Sequence, residues 1–178
     1  MKKFCAVKKD KSLETERLRA FLPTIDFLDD YVAMLDNKDF VACYGVHYDH
    51  QKAKERLLDD ILHWEKYGFG VWMWRDKASG AYVGRGGLKN FALKAKDEIE
   101  LSYAIKKELW GNGLALEIAQ ASIDFAKENL HVRDLICFTL PTNTRSLRVM
   151  EKIGFKYEGD FVHSNRPHKL QRILLKNL

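Results

Sequence analysis

The apolar positions along this chain change period several times, and each change predicts a new element. Leu18, Ala20 and Leu22 alternate, which predicts a short strand over 16–22, stopped by Pro23 and Thr24. Ile25, Leu28, Tyr31, Val32 and Leu35 share one face of a short helix over 26–35, and residues 39–50 read as irregular. Asp49 or His50 leads into a charged helix over about 51–67, with Leu57, Leu58, Ile61, Leu62 and Trp64 as its apolar positions and Gly68 as its stop. Residues 69–75 and 81–91 read as strands around a turn at 76–80, the second interrupted by Gly84, Gly86 and Gly87, which suggest a bulge or a close backbone approach. After a turn at 94–97, Ile99, Leu101, Tyr103 and Ile105 alternate with Glu100, Ser102 and Ala104 in a further strand. Helical spacing returns with Leu114, Ala115, Ile118, Ala119, Ser122, Phe125 and Ala126, over about 112–128. A strand over 135–140, broken by Pro141, precedes a helix capped by Thr142 or Asn143, carrying Leu147, Met150 and Ile153 and closed by Gly154. Strands over 155–158 and 169–175 complete the chain.

The order is strand, two helices, three strands, helix, strand, helix, two strands. This predicts an α+β fold whose glycine-turn helix joins two strands able to pair in parallel, with the rest of the sheet an antiparallel meander. It is not a doubly wound dinucleotide fold. A length of 178 residues with three prolines, and no repeat, low-complexity segment or linker, predicts a single domain over 1–178, its core at about 14–175 and an N-terminal extension at 1–13.

Composition narrows the function classes. The net charge is +5, and apart from Lys2, Lys3, Lys8, Lys9 and Lys11 the basic residues are dispersed. That suits a soluble basic protein, or one with an anionic ligand, and predicts no direct nucleic-acid binding. Cys5, Cys43 and Cys137 form no CxxC pair, and the six histidines have no metal-ligand spacing, so no metal is expected. No run approaches a membrane span and no signal-peptide core is present, so a cytoplasmic protein off the membrane is expected.

The chemistry begins at Trp110-Gly111-Asn112-Gly113-Leu114-Ala115, a small-residue turn between a strand and a helix start. Backbone N–H groups there lack intrahelical partners, the helix dipole adds positive charge, and glycine lets a phosphate come close. It is neither a Walker A loop nor a GxGxxG fingerprint, and alone it is equally a tight turn that packs a helix on a strand.

A second segment, Asn143-Thr144-Arg145-Ser146 through Met150-Glu151-Lys152-Ile153-Gly154-Phe155, changes that reading. Together with Glu16-Arg17-Leu18-Arg19-Ala20, Glu100-Leu101-Ser102-Tyr103 and the 110–115 turn, it resembles the GNAT N-acetyltransferase superfamily, and within it the branch of ribosomal-protein N-terminal acetyltransferases. The resemblance implies the GNAT fold: a mixed, mostly antiparallel sheet with a parallel splayed strand pair and flanking helices. It implies acetyl-CoA as cosubstrate, its pantetheine arm in the gap between the strands ending near Ile105 and Leu140. The backbones of Tyr103, Ala104 and Ile105 would pair with the arm as with an added strand. The pyrophosphate would sit on the amides of Gly111, Asn112, Gly113, Leu114 and Ala115. Trp110 stands where the broad superfamily has Gln or Arg, which removes one positive partner for the phosphates. Asn143 is a good helix N-cap by residue type, and the resemblance adds a hydrogen bond to pantetheine. Ser146 is either a cap-supporting serine or, as the resemblance implies, a cofactor contact at a place where this residue or a nearby tyrosine protonates the leaving thiolate.

Transfer to an amine needs a group that accepts a proton, and Glu100 is the candidate, against the alternative of an exposed strand glutamate in an ion pair. The catalytic candidates are therefore Glu100 and Ser146. Cys137 reads as packing rather than nucleophile, and Phe69, Trp72 and Trp74 read as core, with a wall of the acceptor pocket as the other reading. Tyr44, His47 and Tyr48 lie in a loop that relatives use around the acceptor. The expected partner is a primary amine, on a small molecule or a protein N-terminus such as that of a ribosomal protein. The alternative is a non-catalytic acyl-CoA-binding module on the same fold. The chain is expected to be a monomer or homodimer.

Overall fold

In the computed structural model, residues 12–45 and 47–175 are described. The lysine cluster of 2–11, Cys5 and nearly all of the expected N-terminal extension lie outside them. The strand–helix–strand crossover predicted around the glycine turn organises the molecule. Strand β4 (Lys96–Ile105) leads into helix α4 (Leu114–Asn129), which returns the chain to strand β5 (Asp134–Thr139), parallel to β4. The other pairings among the described strands are antiparallel: β1 (Leu18–Phe21), β2 (Val71–Asp76) and β3 (Tyr82–Leu93) extend the sheet on one side, and β7 (Arg166–Leu174) and β6 (Lys156–His163) on the other. The sheet order is β1-β2-β3-β4-β5-β7-β6.

The parallel pair is joined at one register position, Glu100 opposite Ile136, whereas β4 pairs with β3 along its whole length, from Leu93–Lys96 to Gly84–Ile105. Beyond Glu100, β4 stays with β3 and parts from β5. The splayed pair that the family resemblance implied is therefore present, and its opening starts at Glu100.

Side-chain alternation puts two cores on the two faces of the sheet. Leu101, Ile105, Trp72, Trp74 and Leu135 pack with Ile118 and Ile123 of α4. Met73 and Ala104 pack on the other face with Tyr31 and Leu35 of helix α1 (Leu28–Leu35), Phe40 of α2 (Lys38–Tyr44) and Leu57 of α3 (His50–Tyr67). Trp72 and Trp74 are fully buried. A ring of this size removes ~150–250 Å² from water, worth at most roughly 4–6 kcal/mol. The indole N–H of Trp74 donates to Gly86 O at 3.0 Å, so its polar atom is also satisfied.

Three expectations change. Residues 39–50 are not irregular throughout: α2 forms because Asn37 caps it, accepting from the Asp39 and Phe40 amides, and Gly45 ends it in the left-handed region at φ +72°. On α3 the buried face is Ala53, Leu57, Asp60, His63 and Trp64, while Leu58 and Leu62 are exposed. Two polar residues sit inside because distant strands supply their partners. Asp60 meets Arg85 at 2.9 Å and Lys89 at 3.2 Å, and His63 bridges Phe69 O at 2.9 Å and the Asn90 amide at 3.1 Å. Because that amide donates to Nε2, His63 is a neutral imidazole with its proton on Nδ1, and burial pushes its pKa down. Strands β6 and β7 are also longer than predicted and meet at a tight turn in which Ser164 and Asn165 have φ of +49° and +59°. The glycine interruption of β3 coincides with an irregularity in its pairing to β2: Gly84 has φ +154°, and a Cβ there would lie 2.2 Å from Ala104 O.

Candidate active site

A cleft of ≈ 540 Å³ opens where β4 and β5 part. Its donor half is built mainly from backbone. After a short 3₁₀ turn at Lys107–Leu109, Gly111 (φ +85°) and Gly113 (φ +77°) bend the chain so that Gly113 caps α4 with no side-chain bond. The first-turn amides of Leu114, Ala115 and Leu116 thus lack intrahelical acceptors, and these residues line the cleft. They fit a pyrophosphate, which would be held by N–H groups and the positive end of the α4 dipole.

This turn is anchored from the start of the described chain. Arg17 donates from Nε to Glu117 at 2.7 Å and from a terminal nitrogen to Asn112 O at 2.9 Å, and Thr15 donates its hydroxyl to the same glutamate. Arg17, just before β1, was a motif residue without a role; its partners show that it fixes the turn. Trp110 donates its indole N–H to Ile105 O at 2.8 Å, and the guanidinium of Arg145 lies 5.0 Å over its ring. The positive charge missing at position 110 is supplied at the same place by Arg145 of helix α5 (Thr144–Lys152).

On β4, Lys106 N–H donates to Val83 O of β3. The two-residue alternation therefore turns the backbone groups of Ala104 to β3 and those of Tyr103 and Ile105 to the gap. Tyr103 O already accepts from the Tyr44 hydroxyl, and Ile105 O from Trp110. Asn143 caps α5 by accepting from Ser146 N at 3.2 Å, and its amide nitrogen points to Cys43 O at 3.5 Å. Ser146 Oγ lies 3.0 Å from the Tyr103 hydroxyl. Burial raises the pKa of that tyrosine, so it stays protonated beside the serine.

Glu100 marks the other half. It sits where the strands separate, half-buried and lining the cleft. Burial raises its pKa to about 7, against the lowering pull of Arg56, Lys89 and Arg85. Tyr44, Tyr48, Arg56, His163, Arg166 and His168 line the cleft as well. Of the residues expected from sequence, Glu100, Tyr103, Ala104, Ile105, Trp110, Gly111, Gly113, Leu114, Ala115, Asn143 and Ser146 all border it. Asn112 does not: its side chain donates to Leu109 O and its carbonyl goes to Arg17. Of the loop residues, Tyr44 and Tyr48 face the cleft, whereas exposed His47 lies 3.5 Å from Asp36. Sequence reading missed Arg56 and Arg166, because no local pattern ties them to the glycine turn, and gave Tyr103 a role for its backbone but none by name for its hydroxyl.

This arrangement is that of an acetyltransferase. The model of the acetyltransferase (GNAT) domain matches residues 17–156, and the chain belongs to that family, whose enzymes take acetyl groups from acetyl-CoA. Among curated proteins it is similar to the "probable N-acetyltransferase YjcK" of Bacillus subtilis (strain 168), 27% identical over 134 residues, which cover 75% of this chain and 70% of that one. In fold it is similar to an acetyltransferase from Agrobacterium tumefaciens str. C58, with a TM-score of 0.81 and 24% identity over 93% of this chain and 95% of the other. It is also similar to the ribosomal-protein-S5-alanine acetyltransferase of Vibrio fischeri, with a TM-score of 0.71 and 19% identity over 93% and 97% of the two chains. Among the described residues, no helix is long and apolar enough to cross a membrane.

Proposed function

We propose that the chain transfers an acetyl group directly from acetyl-CoA to a primary amine, with Glu100 as general base and Ser146 as proton donor. The observation that carries this reading is the position of Glu100 at the splay point, in a cleft where burial brings its pKa to about 7. A base with that pKa is about half ionised at neutral pH and still basic enough to accept a proton from an amine. Its place in the cleft, with no ion pair of its own among the described residues, sets it apart from an ordinary surface glutamate.

The donor is assigned to the amides of 113–116 and to the β4 edge at Tyr103 and Ile105, with Asn143 and Arg145 beside it. Bound there, acetyl-CoA supplies an acetyl group activated as a thioester. Glu100 takes the proton that the attacking amine loses as its nitrogen bonds to the acetyl carbon. Ser146, hydrogen-bonded to the Tyr103 hydroxyl, gives its hydroxyl proton to the departing thiolate and regains one from solvent as Glu100 releases the proton taken from the amine. Holding both reactants in one cleft supplies much of the rate, and no covalent enzyme intermediate is needed. Cys137, buried and with its pKa raised chiefly by that burial, is assigned to packing. The test is a thermal-shift titration with acetyl-CoA followed by thiol-release assays across an amine panel. Stabilisation with release of CoA thiol supports transfer; stabilisation without release from any amine would indicate a binding module.

A further inference from the structure

The acceptor half of the cleft has the wrong charge for a polycation. Among the described residues lining the cleft, Glu100 is the single carboxyl, against Arg56, Arg145, Arg148, Lys152 and Arg166. Arg145, Arg148 and Lys152 belong to α5, on the donor side, and Arg56 and Arg166 to the acceptor side.

Arg56 is half-buried, 5.9 Å over the Tyr48 ring, and among the described residues its guanidinium has no ion pair. The nearby acid, Asp60, is already taken by Arg85 and Lys89. Arg85, Lys89 and Arg56 thus outnumber Asp60 and a Glu100 that is partly neutral at pH 7. A half-buried guanidinium without a counter-charge is costly unless a ligand brings one, and its forked donors match a carboxylate. Arg166, the first residue of β7, lays its guanidinium against Gly45 and likewise has no ion pair among the described residues. The wall between them is aromatic: Phe138 has its ring 5.4 Å from His163 and 5.5 Å from His168.

Resting on the acetyl-transfer reading, we infer that the acceptor is a small amino-carboxylic acid. Its amine lies at Glu100, its carboxylate on Arg56 with Arg166 at the rim, and its apolar side group on Phe138, His163 and His168. Arg56 and Glu100 line the same cleft, which suits a short skeleton. A protein N-terminus has no free α-carboxylate on the reacting residue and would leave Arg56 without that partner.

Matched acceptors test this with acetyl-CoA and a thiol-release readout: phenylalanine, phenylalaninamide, 2-phenylethylamine, spermidine and an alanyl peptide. One charge-assisted bidentate contact predicts a kcat/KM for phenylalanine at least about tenfold above that for its amide. Arg56→Gln should bring that ratio close to one, chiefly through KM for the acid, and Arg56→Lys should restore part of it. Arg166→Gln, at an exposed position, should lower the same ratio more weakly, and it keeps the test open if the Arg56 variants fail to show the acetyl-CoA thermal shift. Preference for spermidine, the amide or the peptide would overturn the inference while leaving acetyl transfer intact. A ratio unchanged in both Arg56→Gln and Arg166→Gln would overturn it too. Binding of acetyl-CoA with no release from any amine would instead remove the transfer reading on which it rests.

Discussion

The two halves of the cleft are built by different means. The donor half is backbone: two glycines with positive φ, the first-turn amides of α4 and the edge of β4 that parts from β5. The acceptor half is side chains: Arg56 from α3, Glu100 from β4, Phe138 near the end of β5, and His163, Arg166 and His168 from β6 and β7. A backbone cradle binds one chemical group and tolerates sequence change around it. A pocket of side chains can be retuned residue by residue, so acceptor choice lives there.

The largest expected effect separates the two halves. Glu100→Gln should lower kcat/KM for the amine by ~10²–10⁴-fold and leave acetyl-CoA binding, read by thermal shift, within about twofold. Loss of donor binding in this variant would show that the halves are not independent.

Next comes the buried support beneath the acceptor half. Asp60→Ala leaves the guanidinium of Arg85, itself buried, without its counter-charge and should cost about 3–5 kcal/mol in denaturant unfolding. The double variant Asp60→Ala/Arg85→Met should recover most of that loss, since an apolar side chain suits a buried site better than an unpaired charge. If the double variant is no more stable than the single, the ion pair is not the reason.

Ser146→Ala removes the proton donor and should reduce kcat by ~10²-fold with KM for the amine little changed. Tyr103→Phe should cost less, because the serine hydroxyl remains. Equal losses in the two variants would assign the proton to the tyrosine instead.

The smallest effect is at the anchor of the glycine turn. Arg17→Ala breaks an exposed ion pair to Glu117 and the bond to Asn112 O, so unfolding free energy should fall by less than about 1 kcal/mol. KM for acetyl-CoA should rise a few-fold while amine selectivity stays constant. A shift in amine selectivity would contradict the division into halves.

The same division explains what the sequence revealed. The crossover, the glycine turn and the Asn143 cap were legible because each is a contiguous pattern with a local cause: a left-handed glycine, a capping side chain, a change of period. Helix α2 escaped notice although Asn37 and Gly45 bracket it, because seven residues are too few to establish a helical period. The inward face of α3 was read in part: Leu57 and Trp64 are inside as expected, but Asp60 and His63 are buried where Leu58 and Leu62 are not, because partners on β3 and next to β2 satisfy them. Of the acceptor seats only Glu100 was legible, from the strand before the glycine turn; Arg56 and Arg166 were not, because they are far from it in sequence and only the fold brings them to the same cleft.

Glu100 also couples chemistry to stability. Its folded pKa, about 7, lies above an ordinary carboxyl value of 4.5, so between those values the folded protein binds more protons than the unfolded chain. Its contribution to stability therefore falls as pH rises through that window, while the ionised fraction needed for catalysis grows. The most direct measurement is the pH dependence of kcat/KM for acetyl transfer in the parent and in Glu100→Gln. Expressed per neutral amine, the parent should rise tenfold per pH unit below a bend near 7 and level off above it, and the variant should be slow and lack that bend. An unchanged bend near pH 7 in Glu100→Gln, with activity near that of the parent, would contradict the assignment of Glu100 as the base.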